Sequence, residues 1–326
     1  MRTASHLTRC AFNVAIIALA GCGGSQLQSV TPNVIARDSA ISTNSAHAHS
    51  WMLAGAKSED LLYLSDSTSV YVYSYPKAKR IGTLTGFQFP GGMCPDKVGN
   101  VWITNFRGDT IVEYAHGGTT PIATLNVPGL SGQSCAIDPT SGDLAVVGYP
   151  PQGSTGRAKV LVYAGAAGNP NIYRVDLSTS SFCGYDNNGN LFVTGYRYNE
   201  STKSGVVELQ KGAKKFRQLS FGASGPFFGD QPGPVQWDGR HLAIGLGSRI
   251  IRFTIHHFNA VEKGVTSFDN LHQLANAWIQ GGKVVVVNIF GSGYPPVQID
   301  KYPAGGSPIR TINAGGFGVT VSPASR

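Results

Sequence analysis

A repeated strand-to-turn junction constrains this chain more than any other feature. Asp96, Asp138, Asp186, Asp238, Gln280 and Ser322 each close an apolar run, at intervals of 42, 48, 52, 42 and 42 residues. The stretch from Gly91 to Leu125 shows the unit most clearly. Asp96-Lys97-Val98-Gly99-Asn100 is a turn, because Gly and Asn tolerate positive φ and Asp and Asn side chains bond nearby backbone. Val101-Trp102-Ile103-Thr104 is a short buried strand of β-branched and aromatic residues. Arg107-Gly108-Asp109 turns into Ile111 to Tyr114, and Gly117-Gly118 turns into Ile122 to Leu125. The unit therefore reads as one four-stranded antiparallel blade.

The other intervals repeat it. Second strands follow at Leu144 to Val147, Leu191 to Val193, Leu242 to Ile244 and Val284 to Val287. Third strands follow at Val160 to Tyr163, Val206 to Leu209, Ile250 to Phe253 and Val297 to Tyr302. Thr254 to Lys263 breaks the pattern as a longer excursion. The ends complete the count. Leu61 to Leu64, Val70 to Tyr75 and Ile81 to Leu84 lack an inner strand before them, and Phe317 to Val321 is an inner strand with no blade after it. Periods of about 40 to 50 residues with four short strands indicate a β-propeller. The expected fold is all-β: a six-bladed β-propeller of four-stranded antiparallel blades, closed by the C-terminal strand joining blade one. Closure removes the free sheet edges that invite aggregation. Insertions in the 48- and 52-residue repeats leave seven blades as the competing count.

Composition agrees. Charged residues make up 13% of the chain, against about 25% in an average domain, and glycine supplies 42 residues for tight turns. The net charge of +8 has no Lys/Arg run or recognition motif behind it, so a nucleic-acid partner is not expected.

The run Pro90-Gly91-Gly92-Met93-Cys94-Pro95-Asp96-Lys97-Val98-Gly99-Asn100-Val101-Trp102-Ile103-Thr104-Asn105 resembles an NHL repeat. That resemblance extends weakly over Leu61 to Ser322 and implies a six-bladed, TolB-like propeller. Blades five and six depart from it, with a shortened Asp238-Gly239-Arg240 turn and Gln280 in place of Asp.

The N-terminus has the parts of an export signal: Arg2 and Arg9, then an apolar run from Ala11 to Leu19 too short to span a bilayer. Leu19-Ala20-Gly21-Cys22 resembles a bacterial lipobox, which implies a diacylglycerol on Cys22. Gly23 after it, rather than Asp, favours the outer membrane. Residues 1–21 are thus expected as a lipoprotein signal peptide, 22–55 as lipidated Cys and disordered tether, and 56–326 as the propeller. The expected partner is the membrane, through that anchor, with the protein periplasmic or surface-facing. Trp51-Met52-Leu53 marks where the chain docks onto the folded body. His47 and His49 read as solvated linker residues.

Cys94, Cys135 and Cys183 all lie on inner strands just before a marker Asp. Neighbouring inner strands are expected to hold their Cα atoms further apart than the roughly 4.4–6.8 Å a disulfide needs. Small buried packing thiols are the expectation, with a disulfide as the alternative.

No hydrolase, phosphate-loop, zincin or dinucleotide-binding motif is present. His116, His241, His256, His257 and His272 are scattered, and adjacent His256-His257 would point to opposite faces of a strand. Two constellations remain. Asp66, Asn105 and Asn288 end the second strands of blades one, two and six, and such oxygen ligands suit Ca²⁺. Gluconolactonase-like propellers carry a metal in a comparable place, which implies a metal-dependent lactonase-like hydrolase as the alternative function. Turn-forming roles are the expectation, with no cofactor. The connections between second and third strands are the other candidate. They carry Phe106, Arg107, Tyr149, Arg157, Tyr196, Arg197, Tyr198, Phe290 and Tyr294. Aromatic faces and Arg forks of this kind stack on sugars or anchor a protein. The sequence thus points to a membrane-tethered, non-catalytic binding or scaffold module with an unidentified protein or glycan ligand. Arg107-Gly108-Asp109 is read as a tight turn.

Overall fold

A computed structural model describes residues 49–222, 231–288 and 296–325, apart from the side chain of residue 201. Cys22, the leader, most of the tether, Phe290 and Tyr294 lie outside these residues. After β1 (Trp51–Met52) come β2 (Leu61–Ser65), β3 (Val70–Ser74) and β4 (Lys79–Leu84). Blade two holds β5 (Pro90–Pro95), β6 (Val101–Asn105), β7 (Thr110–Tyr114) and β8 (Pro121–Asn126). Blade three holds β9 (Ser131–Ile137), β10 (Leu144–Tyr149), β11 (Lys159–Tyr163) and β12 (Asn171–Arg174). Blade four holds β13 (Phe182–Tyr185), β14 (Leu191–Arg197), β15 (Glu200–Leu209) and β16 (Arg217–Gln218). Blade five holds β17 (Val235–Trp237), β18 (Leu242–Leu246), β19 (Arg249–His256) and β20 (Asn259–Ser267). Blade six holds β21 (Leu274–Gln280), β22 (Lys283–Asn288), β23 (Val297–Lys301) and β24 (Arg310–Ile312), and β25 (Val319–Ser322) returns to blade one.

The fold is a six-bladed propeller of antiparallel blades, as the repeat predicts. All six marker residues sit at or just past the end of an inner strand. Their role is structural. Asp96 Oδ1 accepts the N–H groups of Val98 and Asn100 at 2.9 and 2.8 Å, and Asp186 does the same for Asn188 and Asn190. Blade six replaces this carboxylate with Gly281 and Gly282, whose φ of 56° and 68° make a two-residue hairpin turn. The excursion after Thr254 proves to be a long hairpin of β19 and β20 that turns at His257 and Phe258, both at positive φ. His257 therefore lies in a turn rather than on a strand.

β25 pairs with β2, matching Leu61 to Ser322, Leu62 to Val321, Tyr63 to Thr320 and Leu64 to Val319. Ser65 reinforces the junction: its Oγ donates to the Gly91 carbonyl at 2.9 Å and accepts the Gly318 N–H at 2.7 Å. Blade one also gains a fifth strand, because Trp51 and Met52 pair with Thr83 and Gly82 on its outer edge. The core lies between blades rather than inside one. Leu61, Tyr63, Val70 and Val72 of blade one pack on Met93, Val101, Ile103 and Tyr114 of blade two, and similar clusters fill the other interfaces.

One expectation fails. Cys94 and Cys135 form a disulfide, with Cα atoms 5.7 Å apart. The reason is glycine on the inner strands. A Cβ on Gly92 would fall 2.6 Å from the Gln133 carbonyl oxygen, so the backbones of β5 and β9 approach more closely than side chains would allow. Cys183 keeps the expected packing role as a buried free thiol, and burial pushes its pKa up.

The interface of blades five and six departs from the apolar pattern. Asp300 and Gln298 on β23 are fully buried, and Asp300 Oδ2 and Gln298 Oε1 find no donor. Burial chiefly, with Asp269 adding, pushes the Asp300 carboxyl up to about 6, against a hydrogen bond from Gln298 that lowers it.

Three outcomes follow from this architecture. Val321→Asp buries an unpaired charge at the closure and should cost at least about 3 kcal/mol in denaturant unfolding; a loss under about 1 kcal/mol would contradict the closure. Non-reducing peptide mapping should join Cys94 to Cys135, and the double serine variant should lose about 2–4 kcal/mol. Asp300 titrates near 3.8 when unfolded and near 6 when folded. Its raised pKa contributes stability that is present below about pH 4 and lost as pH rises through 6. Asp300→Asn should therefore gain on the native protein between pH 4 and 7, by on the order of 2–3 kcal/mol, and a flat difference would refute the assignment.

Candidate functional site

In each blade the turns between second and third strands share one end of the disc with the linkers that enter the inner strands. This end is the top face. At its centre is a mouth of about 360 Å³, lined by residues that include Gln133, Tyr149, Phe182, Gln273, Leu274 and Phe317. No Asp, Glu, Lys or Arg is among the described lining residues, and His272 carries the only imidazole there. Below the mouth the inner strands close up, leaving a channel space of only about 20 Å³ between Met93, Phe182, Trp278 and Val319.

A row of aromatic rings runs along the mouth across three blades. Phe317, just ahead of β25, lies 4.8 Å from Phe89; Phe89 lies 5.8 Å from Phe106; and Phe106 meets Tyr149 edge-on at 6.1 Å. The Arg107 guanidinium covers the Phe89 ring at 5.0 Å. Phe89 holds a φ of 64°, which a bulky side chain rarely adopts and which costs on the order of 1 kcal/mol or more. Its backbone is held there by the next loop: the N–H groups of Phe106 and Arg107 donate to the carbonyls of Phe89 and Gln88 at 3.0 and 2.9 Å. Outliers of this kind cluster at ligand clamps.

The residues expected in the binding face therefore divide. Tyr149 lines the mouth. Arg107 lies beside it, stacked on Phe89 in the adjoining row of rings. Arg157 and Tyr198 form a separate stack, 5.1 Å from guanidinium to ring, and Arg157 also pairs with Asp176 at 3.0 Å. Arg197 turns toward Glu200 within its own hairpin, 3.9 Å away. Tyr196 is half-buried, and its carbonyl accepts the Ser178 N–H at 2.7 Å. Phe89, Phe317 and Phe182 were not singled out from sequence. All three sit in linkers entering an inner strand or at its first residue, on the same face as the loops that were considered. The signal that finds them is an aromatic just before the inner-strand glycines, as in Phe89-Pro90-Gly91-Gly92 and Phe317-Gly318.

The oxygen trio is engaged locally. Asp66 Oδ1 accepts the N–H groups of Thr68 and Ser69, both at 2.7 Å, and its Oδ2 accepts the Tyr71 hydroxyl at 2.7 Å. Burial pushes the Asp66 carboxyl up, but these bonds outweigh it and hold the pKa below the ordinary value. Asn105 Oδ1 accepts the Gln88 N–H at 2.6 Å, and Asn288 Oδ1 accepts that of Gln273 at 3.1 Å. Asn105 and Asn288 thus pin the inner-strand linkers that frame the mouth. Among the described residues no three His, Cys, Asp or Glu side chains come together as a metal would require.

No protein-family model matches the chain. No curated protein matches it either. Solved structures do. A chain from a nidogen/laminin complex superposes with a TM-score of 0.61 at 12% identity, covering 82% of this chain and 100% of that one. A protein of unknown function from Bacteroides caccae gives 0.60 at 11% identity, covering 81% and 99%. The Myceliophteria thermophila Cps50 (Swd1) β-propeller domain gives 0.54 at 10% identity, covering 82% and 88%. At such identities the likeness is one of fold, and it makes this chain a β-propeller in class.

Proposed function

We propose that this chain is a non-catalytic binding module that takes a neutral glycan at the top-face mouth. One observation carries the reading: Tyr149, Phe182 and Phe317 rings beside the amides of Gln133, Gln231 and Gln273, with no acid or strong base among them. Ring faces suit the apolar side of a sugar, and neutral amides both donate to and accept from its hydroxyls. General acid–base chemistry is most often carried by His, Asp or Glu, and among the described lining residues His272 is the only one of these. The same reading places the module in a bacterial envelope, tethered at the outer membrane by a lipid on Cys22, on the strength of the Leu19-Ala20-Gly21-Cys22 signal.

Retention of envelope extract on the immobilised protein tests the mouth. The native chain should retain material that periodate destroys and protease spares. Tyr149→Ala and Phe317→Ala should each weaken retention about five- to tenfold, as loss of a stacking ring does. Unchanged retention by both variants would sink the assignment, and protease-sensitive material would replace the glycan with a protein partner. Labelling cells with an alkyne fatty acid should mark the native chain and spare Cys22→Ser.

A further inference from the structure

A second hollow opens on the opposite face, at the base of blades five and six. It measures about 580 Å³ and is walled by the turn from Asp238 to His241, the turn from Gln280 to Gly282, and Tyr302. Gln236 pins its two blades together. The Gln236 Nε2 donates to the Ile279 carbonyl at 2.9 Å, and its Oε1 accepts the Ile279 N–H at 2.7 Å.

Arg252 lines this hollow from β19. It pairs with Ala243 across the sheet, the register at which blades one, three and six place Val72, Val162 and Ile299. Blades two and four carry Glu113 and Glu208 at this register, so Arg252 is the one cation at a position that is otherwise apolar or acidic. Its Nε is sealed from solvent with no acceptor, and among the described residues no carboxylate lies within ion-pair distance. The backbone makes room for it: the β19–β20 register slips beside Arg252, which places Gly264 opposite, and a Cβ there would fall 2.5 Å from Arg252 Nη2. The acid lining the hollow is already engaged. Asp238 Oδ1 accepts the N–H groups of Arg240 and His241 at 2.9 and 2.7 Å, and its Oδ2 accepts the Tyr302 hydroxyl at 2.7 Å. Arg240 and His241 add further donors to the lining.

We propose that this hollow is an oxyanion site, in which the Arg252 guanidinium receives the carboxylate or phosphate of a small ligand. A half-buried guanidinium without a counter-charge is costly, and two oxygens of a carboxylate or phosphate satisfy its fork with two parallel hydrogen bonds. The site is independent of the glycan reading of the mouth.

Calorimetric titration of the full chain with inorganic phosphate and with succinate, at low ionic strength, tests it, together with ¹H–¹⁵N spectra of the arginine Nε groups. One saturable site is expected, with the Arg252 Nε resonance shifting along the same isotherm. Arg252→Gln should weaken binding at least about tenfold, while Arg217→Gln, which removes a guanidinium stacked on Phe258, should leave it within about twofold. Binding of phosphate alone assigns a phosphoryl ligand, and binding of succinate alone a carboxylate. Absence of saturable binding by either anion overturns the proposal, as does equal affinity in Arg252→Gln. If that variant does not fold, the native Nε shift decides: an unmoved Arg252 signal at saturation rejects the site.

Discussion

The pairing of β25 with β2 is the interaction on which the rest of the molecule depends. A propeller blade is a small twisted sheet that cannot bury both faces alone, so each relies on its neighbours. The six interblade cores form a closed cycle only if the last blade meets the first. Four residue pairs between chain segments more than 250 positions apart achieve this, with Ser65 tying the junction to the Gly91 carbonyl of blade two. The hydrophobic cluster under β25 joins blades six and one by setting Val319, Val321, Leu62 and Leu64 against Val285, Val287, Val297 and Ile299. Contacts of such long sequence separation carry a loop-closure cost that the buried cluster must offset.

Glycine decides how tightly the cycle draws in. At Gly92, Gly184 and Gly318 a Cβ would collide with a carbonyl of the adjoining inner strand. The inner strands therefore almost fill the axis, and the space available to a ligand is pushed outward to the two faces. On top it gathers among aromatic rings and amides. Underneath it opens between blades five and six, where the Arg252 Nε is buried without an acceptor. The two faces differ in chemistry because the loops above carry rings while the hairpins below carry Asp turns.

Much of this architecture is legible in the sequence, for a physical reason. An inner strand must stop at a turn whose backbone donors need an acceptor, and Asp96, Asp138, Asp186 and Asp238 advertise that need at nearly regular spacing. The closure is legible because each end of the chain shows an incomplete blade. The Cys94–Cys135 bond is hidden because it depends on a distance between strands, which is set by a glycine two residues before Cys94 and not by the cysteines themselves. Half of the mouth is hidden for a topological reason. Arg107 and Tyr149 lie in connections within a blade, whereas Phe89 and Phe317 lie in connections between blades, and only the closed ring puts both on one face. Arg252 is hidden because a lone Arg in a strand looks like any half-exposed cation until its register and missing counter-charge are seen.

β1 gives blade one an asymmetry with a mechanical meaning. The N-terminal strand occupies the outermost edge of the same sheet whose innermost position belongs to the C-terminal strand. A load applied through residue 49 is therefore taken at the rim, first by the Ser50 hydroxyl on the Thr85 N–H and then by Trp51 and Met52 against Thr83 and Gly82. That two-residue pairing can peel and re-form while three further strands separate it from the axis, so it acts as a mechanical fuse. Tugging at the amino end would lengthen the chain by a few residues well before the wheel itself felt any strain.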